Sequence, residues 1–117
     1  MDSEELKKRT KKFAHDCIKL ATLLPENSIG WHIQKQLIRA ATSVAANYRA
    51  SCHAQSKASF VSKISIVIEE ADETEFWLEF IEEENLLKDT IISSLISEAH
   101  ELASIFVATR KTAQKNL

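Results

Sequence analysis

The sequence predicts an all-α protein built as an up-down-up-down, antiparallel four-helix bundle. Three observations carry that prediction. Apolar residues recur at steps of three and four along most of the 117 residues, which is the period of one helix face. One Gly and one Pro leave too little turn material for a many-stranded sandwich or barrel. The breaks in the period are short, so successive helices must fold back on one another. The alternative arrangement is a long helical hairpin that completes its core only on dimerising.

The first helix is expected over residues 3–24, with Leu6, Phe13, Cys17, Leu20 and Leu24 on its apolar face and Asp2 or Ser3 as its cap. Pro25 cannot continue it. Asn27 or Ser28 can cap the second helix, expected over 28–53, which presents Ile33, Leu37, Ala41, Val44 and Tyr48. Ser56 is a cap for the third, over 56–84, where Phe60, Ile64, Val67, Ala71, Thr74, Leu78 and Ile81 sustain a 4-3 spacing. The stretch Glu84-Asn85-Leu86-Leu87 is the next turn, with Asn85 or Asp89 as the following cap. The fourth helix, over 88–112, uses Ile91, Leu95, Leu102, Phe106 and Thr109 and frays from Lys111 to Leu117. All four belong to one domain spanning 1–117.

At 44% hydrophobic and 27% charged residues, the chain is not disordered. Two cysteines make no disulfide framework and fit a reducing compartment. The charged start MDSEELKKRTKKF lacks the apolar segment of a signal peptide. No stretch approaches the roughly 18 apolar residues that cross a bilayer. The expectation is a soluble, cytoplasmic protein with no membrane partner.

Net charge is −2, but its layout is uneven. Residues 1–68 carry 11 Lys and Arg against 5 Asp and Glu, whereas residues 69–89 carry 10 Asp and Glu against Lys88 alone. Helical phase puts Lys8, Lys12, His15 and Lys19 on the back of the first helix. It puts Lys35, Arg39, Arg49 and His53 on the back of the second. The back of the third carries Asp72, Glu79 and Glu83 together with Phe76 and Phe80, with Trp77 on a flank. Each charge stripe alone reads as a solvated helix face. Two aromatics behind a complete core stripe call for a second buried surface, hence self-association or a protein partner. Phe76, Phe80, Trp77, Arg39, Arg49, Asp72 and Glu79 are the candidate oligomer interface. Lys8, Lys12, Lys19, Lys35, Arg39 and Arg49 are the candidate contacts to RNA or DNA. For Arg39 and Arg49 an ion pair with third-helix carboxylates across a subunit interface is preferred over phosphate, because the acidic partner lies in the same chain. Asn47 is expected to make a buried hydrogen bond between helices.

Constellations that carry catalysis are missing. Gly30 alone cannot build a phosphate-cradling loop. His15, His32, His53 and His100 offer no metalloprotease spacing, and Glu98-Ala99-His100 lacks the Glu-x-x-His spacing of a di-iron bundle. Cys17 reads as a small core residue. Cys52-His53 is a weak pair. No enzyme, cofactor or metal is expected.

The segment Arg39-Ala40-Ala41-Thr42-Ser43-Val44-Ala45-Ala46-Asn47, the helix start Ser56-Lys57-Ala58-Ser59-Phe60 and the Glu-rich run Glu69–Glu79 together resemble a family. It is the group of four-helix-bundle proteins named after the open reading frame in intervening sequences of bacterial 23S rRNA genes. The resemblance covers roughly residues 8–112. It implies a left-handed bundle, a homopentameric ring and a bacterial intracellular protein without established enzymatic activity. A related branch, the accessory variability protein of diversity-generating retroelements, is basic and binds nucleic acid and a reverse transcriptase. This chain departs from that branch with a pI near 6.1. The expected role is therefore a non-enzymatic scaffold or adaptor. The alternative is a nucleic-acid-binding accessory protein with a repeated basic surface.

Overall fold

Each of the first three helices starts where a side chain can answer its free N–H groups. In the computed structural model, which describes residues 1–115, α1 spans Ser3–Ala21, α2 Ser28–Ser51, α3 Lys57–Glu83 and α4 Ile91–Lys115. The Asp2 side chain accepts from the Glu5 N–H, Asn27 from Gly30 and Ser56 from Ser59. At the fourth start, Asp89 Oδ1 accepts from the Ile91 N–H at 3.0 Å.

Ends follow equally local rules. α1 stops three residues before the expected Leu24, because a residue preceding proline is pushed out of the α region. Leu23 and Leu24 close that end with three-residue bonds to Leu20 and Ala21. α2 tightens in the same way beyond Ser51, short of the expected residue 53. Asn85 is a left-handed residue, φ 51°, that terminates α3 rather than starting α4. Its N–H donates to Glu82 O, and the Leu86 N–H donates to Ile81 O, the paired bonds of a Schellman ending. α4 begins at Ile91 rather than 88 and runs to Lys115 rather than fraying from Lys111. Residues 116 and 117 of the expected fray lie outside the described residues.

Gly30 fills a position no other residue fits. A Cβ there would lie 1.8 Å from the Pro25 carbonyl oxygen, so the turn backbone packs directly on the first turn of α2.

The helices pack α1 on α2, α2 on α3 and α3 on α4, with a thinner seam between α1 and α4. The particle measures 47 × 21 × 21 Å. Antiparallel register shows in the pairs between helices. Arg39 meets Glu70 where His32 meets Trp77, and Ser65 meets Arg110 where Glu75 meets His100. The α1/α4 seam is held by Arg9, whose Nε and Nη2 reach the two oxygens of Glu98 at 2.7 and 2.6 Å, with Glu101 at 3.0 Å from Nη2.

The core stripes of α1 and α2 are buried as expected, and α3 buries every expected position from Ile64 to Ile81. Phe60 is half-buried. In α4 the stripe is Ile92, Leu95, Ala99, Leu102 and Phe106; Ile91 is 40% exposed, because Ile92, three residues before Leu95 and seven before Ala99, takes the inward position. Thr10 is also buried, its Oγ1 donating to Leu6 O at 2.8 Å. Cys17 is fully buried, and burial pushes its thiol up to about 12.

By length and composition, α4 is long and apolar enough to cross a membrane, which corrects the expectation that no stretch comes near. Its five core residues, the half-buried Ile96, Ala103 and Ile105 packed against them, and the more exposed Ile91 and Val107 together make up that hydropathy.

Candidate functional site: a basic groove and an aromatic-acidic ridge

Two surfaces stand out beyond the core. The first is a groove of about 570 Å³ between α1 and α2. Ala14, Ile18, Ala45 and Ala46 are among its apolar lining; Lys7, Lys8, Lys11, His15, Arg49 and His53 are its nitrogen-bearing side chains, and no carboxylate lines it. The small alanines of α2 leave the space that larger residues would fill. Lys7 is paired with Glu4 at 3.0 Å. The side chains of Lys8, Lys11, His15, Arg49 and His53 have no hydrogen bond or ion pair among the described residues. A shallower depression along α1 carries Lys8, Lys12 and Lys19. There Lys12 meets Asp16 at 2.7 Å, and that bond holds its ammonium above the usual lysine range.

The second surface is the back of α3. Phe76 is 52% exposed and touches two neighbouring rings, Trp77 at 4.9 Å and Phe80 at 5.9 Å between centroids. Trp77 also meets His32 of α2 edge-on at 5.7 Å. Asp72, Glu79, Glu82 and Glu83 are exposed on this half of the helix. Glu79 is held above the usual carboxylate range, by partial desolvation first and then by the like charges of Glu75, Glu83, Asp72 and Glu82.

The structure distributes the sequence-derived residues unevenly over these surfaces. Lys8 and Arg49 meet in the groove, and Lys12 and Lys19 lie beside it. Lys35 is exposed outside it. Arg39 is not free for a neighbouring subunit or a phosphate. It pairs within the chain with Glu70, at 3.2 Å, and with Glu73, because the antiparallel α2/α3 register sets them side by side. Phe80 does not point wholly away from the core, and neither does Trp77; both are half-buried against it. The Trp77 indole N–H donates to Glu73 at 3.3 Å. The Asn47 bond is local rather than interhelical: its Nδ2 donates to Ser43 O at 2.9 Å, since a carbonyl four residues back lies within reach of a short amide.

Sequence reasoning missed Lys7 and Lys11 as groove residues, although Lys7 is next to Lys8 and Lys11 one turn after it. It also missed Arg9, whose partners are 89 and 92 residues away in sequence. Among the described residues no three His, Cys, Asp or Glu side chains come together as a metal site.

Comparison with known proteins extends this picture. A solved structure from Bacteroides thetaiotaomicron VPI-5482, described as a protein of unknown function from the S23 ribosomal protein family, superposes with a TM-score of 0.85. It is 29% identical and covers 95% of this chain and 99% of its own. None of the curated proteins compared with the chain matches it. Residues 3–108 match the family described as 23S rRNA-intervening sequence protein. That span contains the whole of α1, α2 and α3 and most of α4, and the chain belongs to the 23S rRNA-intervening sequence protein family.

Proposed function

We propose that this chain is a non-enzymatic subunit of a homo-oligomeric scaffold or adaptor, with five copies closing a ring as the family resemblance implies. The observation that carries the reading is Phe76. It stands half in solvent as the exposed member of a ring cluster, on a helix that already supplies a full core stripe. Burying the exposed half of this ring against a neighbour is worth about 1 kcal/mol per subunit. Light scattering on the full chain tests the proposal. The expected mass is five times 13.2 kDa. Phe76→Ser, which removes the most exposed ring of the α3 cluster without touching the core, is expected to lower it. A single-chain mass for the unaltered protein ends the proposal.

A second reading, a nucleic-acid-binding accessory protein, is favoured by the carboxylate-free lining of the groove. A reverse transcriptase would be its protein partner, as in the related branch. A ring repeats Lys8, Lys12, Lys19 and Arg49 in every copy and multiplies weak phosphate contacts. Binding of a duplex RNA or DNA, followed by fluorescence anisotropy, should then fall steeply with added salt and with Arg49→Ala. Arg39 contributes less, being already paired with Glu70 and Glu73.

A further inference from the structure

The groove and the ridge each lack a partner within the chain, and each offers what the other needs. We infer that the ridge on α3 of one copy docks in the α1/α2 groove of the next copy. This rests on the self-association proposed above and assigns its two contacting surfaces.

Charge is the first argument. Lys8, Lys11 and Arg49 have no side-chain partners, and neither do Asp72, Glu79 and Glu83. A chain that holds unpaired cations on one side and unpaired carboxylates on another gains twice by joining them. The carboxylates lose their mutual repulsion, and the lysines and arginine gain counter-charges at short range. Complementary charge also sets the register and rejects like-to-like packing.

Shape is the second argument. Two helices with alanines between cationic rims make a trough of the kind that accepts one face of a third helix. Phe76 is the apolar side chain that such a floor can bury, and Glu79 and Asp72 flank it at helical spacing. The acidic ridge from Glu69 to Glu83 runs about 21 Å, and the α1 side of the groove, from Lys7 to Ile18, about 17 Å, at 1.5 Å per residue. The lengths match within about one helical turn.

The contact joins two different patches. It is therefore head-to-tail, and every copy offers one ridge and one groove, which is the requirement for a closed ring. Docking and phosphate binding draw on the same cations, so a filled groove is closed to nucleic acid.

Charge reversal tests the pairing. Four forms of the full chain are compared by light scattering at low salt, with circular dichroism to verify folding. They are the unaltered protein, Lys8→Glu/Arg49→Glu, Asp72→Lys/Glu79→Lys, and the chain carrying all four substitutions. The four positions are exposed and make no side-chain bond, so the helices are expected to persist. The unaltered protein should be oligomeric. Each double variant should fall to the mass of a single chain, and the fourfold variant should regain the oligomer. A groove variant that keeps its oligomeric mass overturns the docking and leaves self-association standing. So does a fourfold variant that stays dissociated when both doubles are. A groove variant that keeps its mass but loses binding to an RNA duplex overturns it in favour of nucleic acid. A monomeric unaltered protein overturns both proposals together.

Discussion

Helices α1 and α3 feed the same core, yet their backs differ in kind. Behind Leu6, Phe13, Cys17 and Leu20, α1 shows Lys8, Lys11, Lys12, His15 and Lys19, and water solvates that charge well. Behind Val67, Ala71, Thr74 and Leu78, α3 shows carboxylates with Ile66 and Phe76 among them. One apolar stripe suffices to explain α1. On α3 the core stripe leaves Ile66 and Phe76 over, and the bundle core fully buries neither. The contrast separates what folds the chain from what the folded chain still has to bury.

The sharpest way to break that contrast is to truncate both faces of α3. Leu78→Ala opens a cavity in a fully buried site and is expected to cost about 2–5 kcal/mol of subunit stability. Phe76→Ala, two residues away and on the opposite face, should cost less than about 1 kcal/mol once the chain is dissociated. Urea unfolding of both variants at low concentration reads the difference, and equal costs would erase the two-face description.

A smaller effect compares the cations of α1 and α2. Arg9 grips Glu98 with both oxygens engaged, and these side chains are only 20% and 26% exposed. Arg39 and Glu70 are 47% and 19% exposed. A double-mutant cycle with Arg9→Ala and Glu98→Ala should give a coupling of about 1 kcal/mol. The matching cycle for Arg39 and Glu70 should give less, because water screens the arginine more.

The smallest effect is electrostatic. Glu79 is held above its ordinary range in the folded chain, so its ionised form is disfavoured there. Its contribution to stability is present at low pH and is lost as pH rises through that raised value. In the dissociated chain, at low protein concentration, Glu79→Gln should therefore raise the melting temperature at pH 7. The gain should vanish on acidification, where the carboxyl is already neutral. A gain that persists in acid would remove the like-charge account of the ridge.

The fold was legible because its signals are local. Steps such as Ile33-Leu37 or Leu78-Ile81 lie within one turn, and Pro25 and Ser56 mark ends without reference to anything distant. The errors came where one residue of phase decided the outcome. Ile91 and Ile92 are adjacent and both stand one turn before Leu95, so the period alone does not select the buried one. The site was less legible because it depends on lateral packing. Periodicity placed Lys8 and Arg49 on the backs of two helices, but not that those backs converge over Ala45 and Ala46. It proposed carboxylate partners for Arg39 in another subunit, while the antiparallel register supplies Glu70 and Glu73 at home. Arg9 had no sequence signal at all, since Glu98 becomes its neighbour only when α4 closes on α1.

The burial of Cys17 gives the molecule a built-in clock. Cys52, half-buried beyond the end of α2, is open to a thiol reagent in the native state. Cys17 is shielded and its thiol is held protonated, so it reacts only in moments when α1 has left the bundle. α1 is a terminal helix, packed mainly on α2 and only thinly on α4, so it can leave while α2, α3 and α4 stay packed. The lag between modification of the two sulfurs then times the opening of one helix, and it should lengthen whenever a neighbouring copy covers the α1 groove.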